Sequence, residues 1–172
     1  MKVQHDQPQS AGLFFDVLAN ATELLSRLVL LALVVLVILE AGLRSFANYS
    51  LGFAEEVTAY FVVALTLFGA ARALRAGSLF EVSFLYDRWG RHWQRLLRTF
   101  YIGLSVLVCV VLAIKTGDLV MSSLARGKFA PTVLHTPLWI PQLLMPIGFT
   151  VIAVFLLEKL VLLFRVHPAG KS

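Results

Sequence analysis

Three carboxylates lie where an acid is expensive. Glu40, Glu55 and Glu56 flank long apolar runs of this 172-residue chain. An acid at such a place binds a cation, relays a proton or pairs with a base. The spacing points to pairing. Glu40 precedes Arg44 by one helical turn, so an i,i+4 ion pair is expected. Glu55 and Glu56 open an apolar run that closes on Arg72 and Arg75. Acid at the start of a helix and base at its end both complement the backbone dipole. Glu158 is placed to pair with a neighbouring base, and Lys115 and Lys159 can snorkel to an interface.

Other chemistry lacks its residues. His5, His92, His135 and His167 all fall outside the apolar runs, so a haem held between helices by two histidines has no ligands. No cluster of His, Cys and acid has zinc-ligand spacing. The single cysteine, Cys109, excludes an internal disulfide and an iron–sulfur site. It sits in an apolar run and reads as a small hydrophobe. Neither GxxxxGKS/T nor GxGxxG occurs. No Ser–His–Asp or Cys–His grouping stands out. We expect no enzyme, no cofactor and no metal site.

The elements that position the charges follow from composition. Hydrophobic residues make up 59% of the chain and charged residues 15%. A small soluble domain cannot bury so much apolar surface. The apolar runs predict an all-α integral membrane protein, because hydrocarbon leaves no water for open backbone groups. Four spans are expected, at about 24–44, 53–74, 98–124 and 138–164. The third continues past Lys115 and Asp118 as one long helix, since Leu119, Val120 and Leu124 keep helical spacing. In the fourth, Pro141 suits a first turn, whereas Pro146 should kink the helix. Residues 1–23 and 166–172 read as tails. Small residues at Gly69 and Ala73, and at Ala113 and Gly117, permit close helix packing.

Basic residues orient the spans. Of the 15 Lys and Arg, only Arg44, Lys115, Arg126 and Lys128 fall on the side of the first and third links. The rest place both tails and the second link in the cytoplasm. In that link Arg88, Arg91, Arg95 and Arg98 share one helical face, beside a face with Trp89 and Trp93. Such stripes predict an amphipathic helix over about 79–97, lying at the lipid interface and fixing topology. A segment clamped between two spans is no nucleic-acid site, despite the net charge of +5.

Several ordered segments resemble one family. They are Glu40-Ala41-Gly42-Leu43-Arg44-Ser45-Phe46 with Phe53-Ala54-Glu55-Glu56, then Phe68-Gly69-Ala70-Ala71 followed by Arg72 and Arg75. Last come Pro137-Leu138-Trp139-Ile140-Pro141-Gln142 and Met145-Pro146-Ile147-Gly148. Together they resemble the small, DctQ-type membrane subunit of tripartite ATP-independent periplasmic (TRAP) transporters, over about residues 25–165. Phe53 stands where that family often has Trp. Leu79-Phe80-Glu81-Val82 replaces a His-containing element common in it.

The resemblance implies a bacterial inner-membrane protein without catalytic residues. Its partners would be a large membrane subunit carrying the substrate and sodium sites, a transient periplasmic binding protein, and membrane lipids. The transported carboxylate would be one such as a C4-dicarboxylate or a sialic acid. Glu40, Arg44, Glu55, Glu56, Gly69, Arg72, Arg75, Trp139, Pro141 and Pro146 are the candidate partner-interface or structural residues. Arg88, Trp89, Arg91, Trp93, Arg95 and Arg98 are the candidate lipid-interface residues. The competing readings are a self-contained small transporter or channel, which would need Glu40 or the Glu55–Glu56 pair in a water-filled site, and a membrane anchor for a redox enzyme.

Overall fold

In the computed structural model, residues 12–77, 91–131 and 135–165 are described. The structure is all-helical. Helix α1 spans Leu13–Ala47, α2 Ala54–Arg75, α3 Arg91–Ala125, α4 Trp139–Gln142 and α5 Leu144–Arg165. Among the described residues four helical segments are long and apolar enough to cross a membrane; the fourth combines α4 with most of α5.

Local chemistry sets the helix ends. Helix α1 carries Asp16 in its first turn and Arg44 in its last. It ends at Asn48, whose φ of 48° is left-handed. Asparagine tolerates that conformation better than most residues. Helix α2 has Glu55 and Glu56 in its first turn and Arg72 and Arg75 in its last, as the dipole reading requires. Gly77, at φ 70°, follows it, a position natural for a residue without a Cβ.

Three boundaries differ from the sequence reading. Helical structure in α1 begins at Leu13, well ahead of the apolar run that starts at Leu24. Residues 91–97, expected in a separate interfacial helix, form the first turns of α3 without a break. The rest of that element, including Leu79-Phe80-Glu81-Val82, Arg88 and Trp89, lies outside the described residues. Finally, the fourth apolar run is interrupted at Leu143, between α4 and α5. The break comes less than one turn before Pro146, which therefore sits in the first turn of α5. There its missing N–H costs no internal hydrogen bond. Helix α3 does continue past Lys115 and Asp118, which approach to 4.0 Å on its exposed surface.

The principal packing runs α1 on α2, α2 on α5, and α5 on α3. The long helices thus lie in a row, with α2 and α5 inside and α1 and α3 at the edges. The inner helices have 22 residues each and the edge helices 35. In length that is about 33 Å against about 52 Å. The core is small. Ala19 of α1, Ala71 of α2 and Phe155 of α5 are fully buried, and Leu18, Leu74, Val151 and Ile152 pack around them. The two alanines leave room for the Phe155 ring.

The close approach of α2 and α5 is set by a glycine outside the small-residue pairs noted in the sequence. A Cβ built on Gly148 would stand 2.7 Å from Leu67 Cβ. Gly69 and Gly117 have open space around their Cβ positions, and Gly69 is exposed. Among the described residues neither glycine therefore marks a close helix contact. We expect Gly148→Val to force α2 and α5 apart and to lower stability by about 1–3 kcal/mol, the range for overpacking a tight contact. Thermal unfolding in detergent checks this, and Leu67→Ala in the same chain should recover part of the loss.

Candidate functional site

Asp16 and Glu23 stand two helical turns apart on α1, and Arg72 and Arg75 lie on neighbouring positions of the last turn of α2. The antiparallel packing of α1 on α2 brings these pairs level. Arg72 then donates to Glu23, and Arg27 donates to the same carboxylate from one turn along α1. Arg75 donates from Nη2 to Asp16 Oδ1 at 2.5 Å. Its other partner comes from α5. Arg75 Nε reaches Glu158 Oε2 at 3.0 Å and Nη2 reaches Oε1 at 3.2 Å. This fork engages both carboxylate oxygens, a geometry that a guanidinium allows and an ammonium does not.

Burial separates the strong pairs from the weak. The side chains of Arg75 and Glu158 are 7% and 2% exposed. The Arg75 guanidinium also lies 5.7 Å from the centre of the Phe155 ring, so the core cluster and the ion cluster share a wall. Arg27, by contrast, is 74% exposed. An exposed i,i+4 pair of that kind contributes little. The Arg75–Glu158 pair is costly to desolvate, and removal of one member alone strands a buried charge.

At the opposite end of α1 the expected Glu40–Arg44 ion pair is replaced by another use of the acid. Glu40 accepts the Ser50 hydroxyl at 2.7 Å and the Leu51 N–H at 3.0 Å. It therefore fastens the link between α1 and α2, and Arg44 acts on it only through its longer-range charge. A carboxylate satisfies backbone and hydroxyl donors in a tight turn better than it serves an exposed neighbour. Glu55 is exposed in the first turn of α2, and Glu56 accepts the Tyr60 hydroxyl at 2.5 Å. Trp139 and Pro141 lie half-buried in α4, and Trp93 is exposed on α3. Arg98 is exposed further along α3; Arg91 and Arg95 belong to its first turns.

A groove of about 230 Å³ lies between α1, α2 and the segment leading into α5. Leu25, Val29, Ala64 and Phe68 line it, with Tyr60 and Thr136 contributing its polar side chains. No cationic side chain lines it among the described residues. Among the described residues no group of three His, Cys, Asp or Glu is placed to hold a metal ion. The arrangement is equipped to fasten helices together.

The sequence singles out Arg72 and Arg75 as bases at a helix end and Glu158 as an acid suited to a neighbouring base, but Asp16 and Glu23 fall in a segment read as a polar tail. The available signal was their seven-residue spacing beside apolar Leu18, Ala19 and Leu25, which gives a helix one charged and one apolar face.

Fold and site together describe a helical component of membrane type, with four helical segments long and apolar enough to cross a bilayer among the described residues. The family model for the DctQ component of tripartite ATP-independent periplasmic transporters matches residues 11–166. The chain belongs to this family. A comparison with curated proteins gives no match.

Loss of Arg75 should be far more damaging than loss of an exposed partner. We expect Arg75→Met, which strands Glu158, to cost about 3–5 kcal/mol. Asp16→Asn removes a half-exposed partner and should cost about 1 kcal/mol or less. The double variant Arg75→Met with Glu158→Leu should recover much of the loss. Chemical unfolding of the three proteins in detergent measures the differences.

Proposed function

We propose that the chain is the non-catalytic small membrane subunit of its transporter and braces the large transport subunit. Transport in this reading is driven by a sodium gradient and fed by a periplasmic binding protein. The cargo is a carboxylate such as a C4-dicarboxylate or a sialic acid. The protein lies in the bacterial inner membrane with both termini in the cytoplasm, as the distribution of basic residues suggests.

The supporting observation is the row itself. A bundle that worked alone would close its helices around a core. Here α1 and α3 each pack along one face and leave large side chains exposed on the others, including Leu31 and Ile38 on α1 and Phe100 and Leu107 on α3. Lipid or another subunit must cover these faces, and membership of a multi-component transporter family supports the subunit. Of the acids that a self-contained transporter would use, Glu40 is engaged in a link and Glu56 accepts the Tyr60 hydroxyl, while Glu55 is exposed.

Two measurements test the proposal. Liposomes holding this chain alone, under an inward sodium gradient, should take up no carboxylate. Uptake should require the co-expressed large subunit; robust uptake by the isolated chain would refute the assignment. For topology, a thiol reagent confined to the periplasm should label His135→Cys and leave Gly90→Cys untouched. The reverse pattern would overturn the orientation.

A further inference from the structure

The groove between α1, α2 and the start of α5 has a depth that the ion cluster fixes. Asp16, Arg75 and Glu158 meet at one level. Val29 lies 13 residues after Asp16, Tyr60 15 before Arg75, and Leu144 14 before Glu158. At 1.5 Å per residue all three stand roughly 20–22 Å from the cluster. All three line the groove. Phe68, seven residues before Arg75, marks its near end, about 10 Å from the cluster. Ile140, ahead of Leu144, marks the far end. A hydrocarbon core about 30 Å thick, entered at the cluster, ends near Glu55 and Glu56. The groove therefore opens in the half of the core nearer the α1–α2 link and reaches back past the midplane.

Size and direction decide what fits. One turn of helix, about 10 Å across and 5.4 Å tall, occupies roughly 400 Å³. A groove of about 230 Å³ is too narrow for that. Only a single flexible chain or a lone side chain is thin enough. The walls run along the helices: Tyr60, Ala64 and Phe68 recur every four residues on α2, as do Leu25 and Val29 on α1. A side chain inserted from a neighbour spans about one turn, whereas this lining spans two. A lipid tail lies parallel to the helices and runs the depth of one leaflet, about 15 Å.

We propose that the groove holds one acyl tail of a phospholipid from the leaflet on the side of the α1–α2 link. The site stands apart from the role in transport and does not depend on it. Its mouth carries charge of both signs. Glu56 accepts the hydroxyl of Tyr60. The carbonyl of Lys128, an exposed residue, accepts the N–H of Leu138, which lies between the lining residues Thr136 and Ile140. A zwitterionic headgroup suits that mouth, with its phosphate toward the lysine and its ammonium toward the acid.

Photo-labelling in nanodiscs tests the proposal. The full chain is placed in phosphatidylcholine with a little phosphatidylethanolamine that carries a diazirine midway along one tail. We expect adducts on Val29, Tyr60 and Leu144 to exceed those on the exposed face of α3 around Leu107 by about tenfold. Val29→Trp and Leu144→Trp, which fill the groove from different helices, should each remove the excess while unfolding in detergent stays near wild type. Equal labelling of groove and α3, or an excess that persists in both fillers, would overturn the site. In chain co-purified with a large membrane subunit the adducts should remain. Their replacement there by crosslinks to that subunit would assign the groove to a protein side chain and overturn the lipid. The nanodisc measurement needs no second subunit, so its result is separate from that of the uptake assay.

Discussion

The row of helices depends on one buried cation. Arg75 ends α2, and its guanidinium reaches α1 through Asp16 and α5 through Glu158. Each contact is possible because small residues lie just inside it: Ala19 and Ala71 let three helices converge, and Phe155 closes the space beneath the charge. The apolar core of this chain is too slight to fix relative helix positions by shape alone. A guanidinium held on two sides has narrow geometric tolerance, so it sets both the level and the rotation of α1. Buried ion pairs often contribute little net stability compared with apolar replacements. Their value in this setting is register.

That register has consequences along the rest of α1. Once Asp16 and Glu23 face α2, every third or fourth residue on the far side must face outward. A helix longer than its neighbours by 13 residues thus projects past them with a defined apolar edge. The Glu40 contacts fix the other end of the same rod to the link that starts α2. Between these fastenings α1 is one unbroken helix.

Much of the architecture was legible in the sequence because bilayer physics is severe. Apolar runs of span length, bounded by Glu55 and Glu56 or by Arg72 and Arg75, have few other solutions than helices. The link contacts of Glu40 were not legible, because i,i+4 spacing makes the Arg44 pair look sufficient while the competing donors, Ser50 and the Leu51 N–H, depend on how the chain turns. Nor was the role of Asp16 and Glu23, whose partners lie 59 and 49 residues away. Gly148 stands out in the sequence only as part of a family segment, and its packing role was not legible for a related reason: a lone glycine carries no spacing signal, and only the packing of α5 on Leu67 gives it meaning. Local chemistry was readable wherever the partner was near in sequence, and long-range pairing required the fold.

The role proposed for this chain is to hold a transporter in place without handling its cargo. A high-resolution map of the chain bound to its large membrane subunit, with cargo and sodium present, tests that claim directly. Both ligands should be coordinated by the large subunit, with the ion cluster around Arg75 intact. Cargo or sodium coordinated wholly by residues of this chain would contradict it.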